Sequence, residues 1–248
     1  MAGSATLAVA AMAGSIGAAG GIGHAAQAGP SRGLHVASIE PADGSVVGVA
    51  FPVIVTFTES VVDREAAEHG IRIHSTGNNA GHFEWPSSDV VQWIPDGYWS
   101  PHSKISVETQ KMTTGFETGD AVVGVADISD HTFTVSVNGD IQRVMAASMG
   151  KPKRPTPIGS FTALSKERTI KFDSRTIGIP LNDPEGYLLN GEYAVRVTWS
   201  GVYVHSAPWS VNSQGYSNVS HGCINLSPDD AAWYFNAVHI GDPIIVQA

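Results

Sequence analysis

From residue 34 onward, short segments of alternating apolar and polar residues follow one another, each ending in a turn signal. Examples are "FPVIVTFT" (51–58), "GIRIHS" (70–75) and "SKISVETQ" (103–110). Alternation with a period of two gives a strand one apolar face, and that face must be buried against a second layer. Short strands separated by turn signals therefore predict an antiparallel β-sandwich for the first half of the chain.

The second half is also rich in strands but contains a helix. Asn138-Gly139 between two alternating runs predicts a β-hairpin, because both residues accept the positive φ angles of a tight turn. Ser227 fits the N-cap of a helix that runs to about Val238. We therefore expect a mainly β chain, with an Ig-like β-sandwich over 34–129 followed by a β-rich catalytic domain over 130–248 with one or few short helices.

The first 28 residues have the composition of an export leader. They consist almost wholly of small or apolar residues, and Ala26-Gln27-Ala28 matches the pattern of a signal-peptidase site. No Lys or Arg precedes Arg32, so a disordered leader and an uncleaved membrane anchor over residues 2–23 stay open as alternatives. We expect an exported protein of the periplasm or cell wall, which contacts a membrane only if the leader is uncleaved.

Charge and motif content exclude two classes of function. The net charge of −9 at pH 7 argues against nucleic acid as a partner, because phosphate binding requires clustered Lys and Arg. His205, His221 and Cys223 contain the right atoms for a metal site, but the spacings typical of metal-binding motifs are missing. The sequence therefore predicts no metal and no cofactor.

Cys223 is the one cysteine of the chain. An unpaired cysteine in an exported protein suggests a reactive thiol or an intermolecular bridge, whereas a buried free cysteine is usually inert packing. His205 ends an alternating strand 18 residues earlier, and Gly222 permits a sharp turn that leaves the Cys223 N–H free to bind an oxyanion. His221 is a second candidate base, poorly placed for the sulfur and better suited to a structural hydrogen bond.

The segment "HSAPWSVNSQGYSNVSHGCINLS" resembles the signature of YkuD-type L,D-transpeptidases, which is a His, a spacer and then Ser/Thr-His-Gly-Cys-x-Asn. Here those elements are His205 and the run from Ser220 to Asn225. The upstream "RPTPIGSF" resembles the Thr-Pro-x-Gly-x-Phe segment of the same family, and within it Thr156 and Gly159 are taken as fold-defining. A single Ig-like domain before such a domain is similar to the exported mycobacterial L,D-transpeptidases, and the resemblance covers residues 34–248.

The resemblance implies a reaction and its partners. His205 would deprotonate Cys223, and the thiolate would attack the carbonyl of meso-diaminopimelate in a peptidoglycan tetrapeptide stem. The terminal D-Ala leaves, and the side-chain amine of a second stem resolves the thioester to give a 3→3 cross-link. The implied partners are donor and acceptor stems, with carbapenem-type β-lactams as covalent inhibitors.

The resemblance also assigns secondary roles. Positions that match groups orienting the base or shaping the oxyanion site are Gly222, His221 and Ser206. Among them, the N–H of Gly222, like that of Cys223, resembles an oxyanion donor. Positions that match substrate-holding groups are Tyr187, Ser200, Gly201, Asn225 and Trp209, and Tyr187 also resembles an oxyanion group. Structural roles stay open for several of them, since Tyr187 could cap the core, Asn225 could form an Asx turn and Ser200-Gly201 could be a hairpin turn.

Three other functions compete with transpeptidation. An L,D-carboxypeptidase would use the same acyl-enzyme with water as the acceptor, and the sequence does not separate the two. A non-catalytic wall-binding module would be expected to have lost part of the motif, yet His205, Gly222 and Cys223 are all present. A papain-like endopeptidase places its cysteine before its histidine, which is the opposite of the order here.

Overall fold

The structure is a computed structural model that describes residues 34–77 and 80–248. The predicted leader, residues 1–28, lies outside the described residues. Within the described part of the chain, no helix has the length and apolar character needed to cross a bilayer.

The N-terminal domain is a sandwich of two four-stranded sheets with one short helix. Its elements are β1 (Val36–Glu40), β2 (Val46–Val47), β3 (Val53–Phe57), α1 (Arg64–His69), β4 (Arg72–Ser75), β5 (Gly81–Glu84), β6 (Val90–Pro95), β7 (Lys104–Glu108) and β8 (Thr113–Thr118). One sheet has the strand order β1-β3-β6-β5 and the other β2-β8-β7-β4. The predicted sandwich is confirmed. The helix α1 was not predicted from the pattern, and it is capped by Asp63, whose carboxylate accepts from the Ala66 N–H at 3.0 Å.

Aromatic side chains fill the space between these two sheets. Trp93 and Trp99 stack with ring centroids 5.0 Å apart, and Phe116 meets Trp99 edge-on at 6.4 Å. The Trp99 indole N–H donates to the Phe51 carbonyl at 2.9 Å, so its polar end is satisfied although the residue is buried. The tryptophans of this domain therefore act as packing rather than as a ligand platform.

The C-terminal domain contains two further sheets and the predicted helix. Its elements are β9 (Val122–Asp127), β10 (Thr132–Val137), β11 (Asp140–Ala146), β12 (Gly159–Thr162), β13 (Ser165–Asp173), a 3₁₀-helix (Ser174–Ile177), β14 (Leu188–Arg196), β15 (Tyr203–Ser206), a second 3₁₀-helix (Pro208–Ser210), β16 (Ile224–Leu226), α2 (Pro228–Ala237) and β17 (Pro243–Gln247). The strand orders are β11-β10-β9-β17-β12 and β13-β14-β15-β16. The mainly β class with two domains and few helices is as expected.

The hairpin and the helix lie where the sequence places them. Asn138 and Gly139 have φ angles of 53° and 93°, and they close the hairpin in which Val137 pairs with Asp140. The helix α2 begins after Ser227, whose hydroxyl accepts from the Asp230 N–H at 3.2 Å. It packs against β14 and β15, so it supports the strand that ends at residue 206.

The boundary between the domains differs from the expected position near residue 129. The strand β9 pairs with β10 and, in parallel, with β17, so it belongs to the C-terminal sheet. The last N-terminal strand ends at Thr118 and β9 begins at Val122, which places the change of domain between them. The residues of β9 form a nearly continuous apolar run, a pattern typical of a buried strand and without the alternation that marks its neighbours.

The two domains meet at a close backbone contact. The N–H groups of Gly48 and Ala50 donate to the carbonyls of Ile240 and Gly241 at 2.8 and 2.9 Å. A Cβ on Gly48 would lie 2.0 Å from the Asp242 nitrogen, so this approach requires glycine. The fully buried Asp242 carboxylate accepts from the N–H groups of Val49 at 3.2 Å and His239 at 2.7 Å, and thereby joins both sides.

We expect Asp242→Asn to lower the free energy of unfolding by about 2–3 kcal/mol, because the amide accepts less well and turns a donor toward one of two buried N–H groups. Denaturant unfolding of the full chain measures this loss. The matched control is Asp140→Asn on the exposed hairpin, which should change stability by less than about 0.5 kcal/mol. Equal stability of the two variants would contradict the role assigned to Asp242.

Candidate active site

Parallel pairing of β15 and β16 brings His205 and Cys223 together. His205 on β15 is in register with Asn225 on β16, and Cys223 lies two residues before Asn225. Cys223 directly precedes β16, so the parallel pairing places it beside the strand that carries His205. His205 and Cys223 both line one cleft of about 810 Å³. The loop between them thus returns the chain to the neighbouring strand, as the sequence suggested.

The imidazole of His205 is buried and held in one orientation. Its Nδ1 lies 2.8 Å from the Ser206 carbonyl, which can only accept, so Nδ1 carries the proton and Nε2 is left as the basic nitrogen. The ring packs against Phe172 and Trp209, with centroid distances of 4.5 and 5.9 Å. Burial lowers the pKa of His205 to about 4, against the opposing effect of the Ser206 carbonyl.

Cys223 is held as a thiol. Its Sγ donates to the Gly201 carbonyl at 3.7 Å, and the Tyr203 backbone N–H is directed at the sulfur. Burial raises the pKa of the Cys223 thiol to about 11, which the Tyr203 N–H partly opposes. Together with the neutral His205, this describes a thiol–imidazole pair from which the proton moves when the substrate is attacked.

We expect no thiolate at Cys223 near neutral pH. The raised pKa keeps the proton on sulfur below about 11, and the lowered pKa of His205 keeps that ring neutral above about 4. The ultraviolet absorbance of thiolate, taken as the difference between wild type and Cys223→Ala, should be absent at pH 7 and appear only as the pH approaches 11. A full thiolate signal at pH 7 would show a preformed ion pair instead.

Three side-chain hydrogen bonds fix the catalytic turn, residues 220–223. The Ser220 hydroxyl donates to the Cys223 carbonyl at 2.6 Å and accepts from the Gly222 N–H at 3.0 Å. Thr156 donates to the Gly222 carbonyl at 2.9 Å, and Gly222 has a φ of 124° that favours glycine. The N–H of Gly222 is therefore not a free oxyanion donor, which corrects the expectation from the sequence. Among the hydrogen bonds of the described residues, the Cys223 N–H has no acceptor.

His221 is part of a charged cluster and is not the general base. The Lys151 ammonium donates to His221 Nε2 at 3.2 Å and to the Glu185 carboxylate at 2.5 Å. The ring also packs against Tyr187 with a centroid distance of 5.1 Å. Burial and the Lys151 charge lower the pKa of His221, so the ring is neutral and accepts at Nε2. The expected structural hydrogen bond is thus to Lys151.

Most of the other predicted residues line the cleft, whereas Ser206 does not. Ser200 bonds Thr198 through their hydroxyls at 2.9 Å in the turn before β15, and Gly201 supplies the carbonyl that accepts from the thiol. Asn225 is buried, and its side-chain amide donates to the Ser210 hydroxyl at 3.1 Å, which ties it to the loop after β15. Ser206 acts on His205 through its backbone carbonyl.

Three residues of the cleft were not singled out from the sequence. Phe172 lies on β13 within an alternating run that predicts a strand but not a contact with His205. Lys151 is 34 residues from Glu185 and 70 residues from His221 in the sequence, and only the fold brings the three together. Among the described residues, no group of three or more His, Cys, Asp or Glu side chains is arranged to hold a metal ion.

Comparison with protein families matches both halves of the chain. A family described as the L,D-transpeptidase catalytic domain matches residues 121–246, and a bacterial Ig domain matches residues 30–117. The first match begins one residue before β9, in agreement with the boundary seen in the structure.

Individual relatives agree with this assignment. L,D-transpeptidase 1 of Mycobacterium tuberculosis is 70% identical over 211 residues, which cover 85% of this chain and 84% of the relative. A solved L,D-transpeptidase in complex with imipenem superposes with a TM-score of 0.80 at 69% identity, covering 86% of this chain and 99% of that one. L,D-transpeptidase 3 of M. tuberculosis, solved with a faropenem-derived adduct, superposes with a TM-score of 0.79 at 51% identity and covers 88% and 100%. With an Ig-like domain before its catalytic sheets, this chain belongs to the YkuD family of L,D-transpeptidases.

Proposed function

We propose that the protein joins peptidoglycan stems by 3→3 cross-links through a thioester at Cys223. One observation supports this most strongly. His205 and Cys223 line the same cleft, and the Ser206 carbonyl fixes the proton on His205 Nδ1, so Nε2 is its basic nitrogen. A thiol and a correctly oriented imidazole in a roomy cleft are the parts that acyl transfer requires.

In the first half-reaction, His205 Nε2 takes the proton from the Cys223 sulfur as the sulfur attacks the carbonyl of diaminopimelate in the donor stem. The oxyanion that develops is placed to accept from the Cys223 N–H. The C–N bond to the terminal D-Ala then breaks, and the imidazolium returns its proton to the leaving amine. The product is a thioester between the donor stem and Cys223.

In the second half-reaction, the side-chain amine of an acceptor stem attacks the thioester. Neutral His205 takes a proton from the attacking nitrogen as the new C–N bond forms. The C–S bond then breaks, the imidazolium returns this proton to the leaving sulfur, and Cys223 is restored as a thiol. Phe172 and Trp209 pack against the buried imidazole and limit the water around it. Limited water favours the amine over hydrolysis and so favours cross-linking over carboxypeptidase activity.

The same thiol is expected to open β-lactams of the carbapenem class. The carbonyl carbon of a β-lactam is an electrophile for Cys223, as the amide carbonyl carbon of the donor stem is. Attack opens the ring and leaves an acyl group on the sulfur. The relatives solved with imipenem and with a faropenem-derived adduct support this extension.

Product analysis with a purified disaccharide-tetrapeptide tests the proposal. With the donor also serving as acceptor, the expected main product is the 3→3 dimer, with D-Ala released. Accumulation of free tripeptide with little dimer would instead assign the protein as an L,D-carboxypeptidase. Absence of both products would support a non-catalytic wall-binding role.

We also propose that residues 1–28 direct export to the periplasm or cell wall. The Ala/Gly-rich composition and the Ala26-Gln27-Ala28 site support it, as does a substrate that lies outside the cytoplasmic membrane. N-terminal sequencing of the protein isolated from the cell envelope decides between a cleaved leader and an anchor.

A further inference from the structure

One loop connects the two walls of the active-site cleft. The loop is residues 150–156, here called the Pro-rich loop. On one side it contacts the catalytic turn, since the Lys151 N–H donates to the Ser220 carbonyl at 3.0 Å and the Thr156 hydroxyl donates to the Gly222 carbonyl at 2.9 Å. The Pro-rich loop therefore packs against the catalytic turn that carries Cys223.

The Pro-rich loop also contacts the β13–β14 segment, residues 174–187, several residues of which line the same cleft. The ends of this segment bond each other, with the Ser174 N–H donating to the Tyr187 carbonyl at 3.0 Å. Two side-chain bonds link this segment to the Pro-rich loop. Arg154 donates to the Ile177 carbonyl at 3.2 Å, and Lys151 donates to Glu185 at 2.5 Å.

Lys151 is the residue at which both sets of contacts meet. Its ammonium donates at once to the Glu185 carboxylate and to His221 Nε2, while its backbone N–H bonds the catalytic turn. The Lys151 side chain is 22% exposed and that of Glu185 39%, so this pair is more shielded than a surface ion pair. Neither residue touches Cys223 or His205, and the acyl-transfer mechanism above does not use them.

We propose that Lys151 is a positioning residue that latches the β13–β14 segment to the catalytic turn through Glu185 and His221. The latch sets the distance between the wall that carries Tyr187 and the turn that carries Cys223. Losing it leaves the thiol and the imidazole intact but lets the two walls separate. Misplacement of about 1 Å at a reacting centre lowers rates by up to about 10²-fold.

This inference rests on the proposed function, because its rate measurement uses acylation of Cys223 by a carbapenem. We expect Lys151→Met and Glu185→Gln to slow the second-order rate of acylation by about tenfold or more, while the melting temperature stays close to that of the wild type. The matched control is Lys153→Met, which removes the same charge from an exposed position two residues along the same loop. A control as slow as Lys151→Met, or acylation of both latch variants at the wild-type rate, would overturn the proposal.

Exchanging the two charges tests the pairing itself. In the wild type, a Glu185 carboxylate oxygen lies 3.9 Å from His221 Nε2. In the double variant Lys151→Glu with Glu185→Lys, the new ammonium at position 185 therefore lies close to His221. We expect the double variant to be acylated faster than either single change at these two positions. A double variant as slow as the slower single variant would overturn the latch.

The titration of His221 gives a readout that does not depend on acylation. Lys151, Glu185, Arg154 and the Tyr187 ring face this imidazole. The positive charge of Lys151 lowers the pKa of His221, and the negative charge of Glu185 raises it. In NMR titrations we therefore expect Lys151→Met to raise this pKa and Glu185→Gln to lower it. If the wild type is not acylated, the proposed function fails. If the pKa of His221 is the same in Lys151→Met and Glu185→Gln as in the wild type, the latch is refuted whatever the acylation result.

Discussion

Replacing Cys223 with alanine is expected to abolish both thioester formation and cross-linking, with a fall in turnover of at least about 10⁴-fold. The reason is chemical, since Cys223 is the sole cysteine of the chain and no other sulfur nucleophile can take its place. Turnover of the disaccharide-tetrapeptide and the intact mass after carbapenem treatment both measure the effect.

The fold should survive this change. The Cys223 sulfur donates weakly to the Gly201 carbonyl at 3.7 Å, and the Tyr203 N–H is directed at it. The hydroxyls of Ser220 and Thr156 hold the surrounding turn by bonding its backbone carbonyls. We expect stability within about 1 kcal/mol of the wild type. Residual cross-linking at a substantial fraction of the wild-type rate, with the fold intact, would rule out Cys223 as the nucleophile.

The second large effect is expected for His205→Asn. The asparagine amide nitrogen occupies the place of Nδ1 and still donates to the Ser206 carbonyl, but nothing replaces the basic Nε2. Loss of a general base typically costs about 10²–10⁴-fold, and we expect a fall in kcat/KM within that range. Stopped-flow acylation by a carbapenem measures the chemical step directly.

Two controls separate loss of the base from other effects. His102→Asn in the N-terminal domain makes the same substitution at an exposed site with a φ of 55°, which asparagine accepts, and should leave activity unchanged. Ser206→Ala keeps the carbonyl that fixes the His205 tautomer and should retain most of the activity. A Ser206→Ala variant as impaired as His205→Asn would mean that the hydroxyl, not the carbonyl, orients the base.

Much of the fold could be predicted because its signals are local. The alternating segments of the N-terminal half, the Asn138-Gly139 turn and the Ser227 cap each depend on residues close in sequence. The strand β9 was missed because Gly124 interrupts an apolar run, and glycine inside a strand usually weakens it. In the structure, that glycine makes room for Phe133, whose ring a Cβ would meet at 2.5 Å.

The active site could be predicted only in part, because some of its contacts join residues that are distant in the sequence. The family signature contains His205, Cys223 and the residues around them, so a motif was enough to find the reacting pair. The parallel pairing of β15 with β16, the Ser206 carbonyl that sets the tautomer and the Lys151–Glu185 contact depend on three-dimensional neighbours. Gly222 shows the limit of a motif, since its N–H matched an oxyanion donor but bonds Ser220.

Mass spectrometry of the wild-type protein tests the central claim most directly. The protein is mixed with a tetrapeptide stem whose diaminopimelate side-chain amine is blocked, without an added acceptor, and quenched in acid. The account predicts a mass increase equal to the donor stem minus D-Ala, located by peptide mapping on Cys223, which disappears when an acceptor amine is added. Cross-linked product that forms with the adduct on another residue would contradict it.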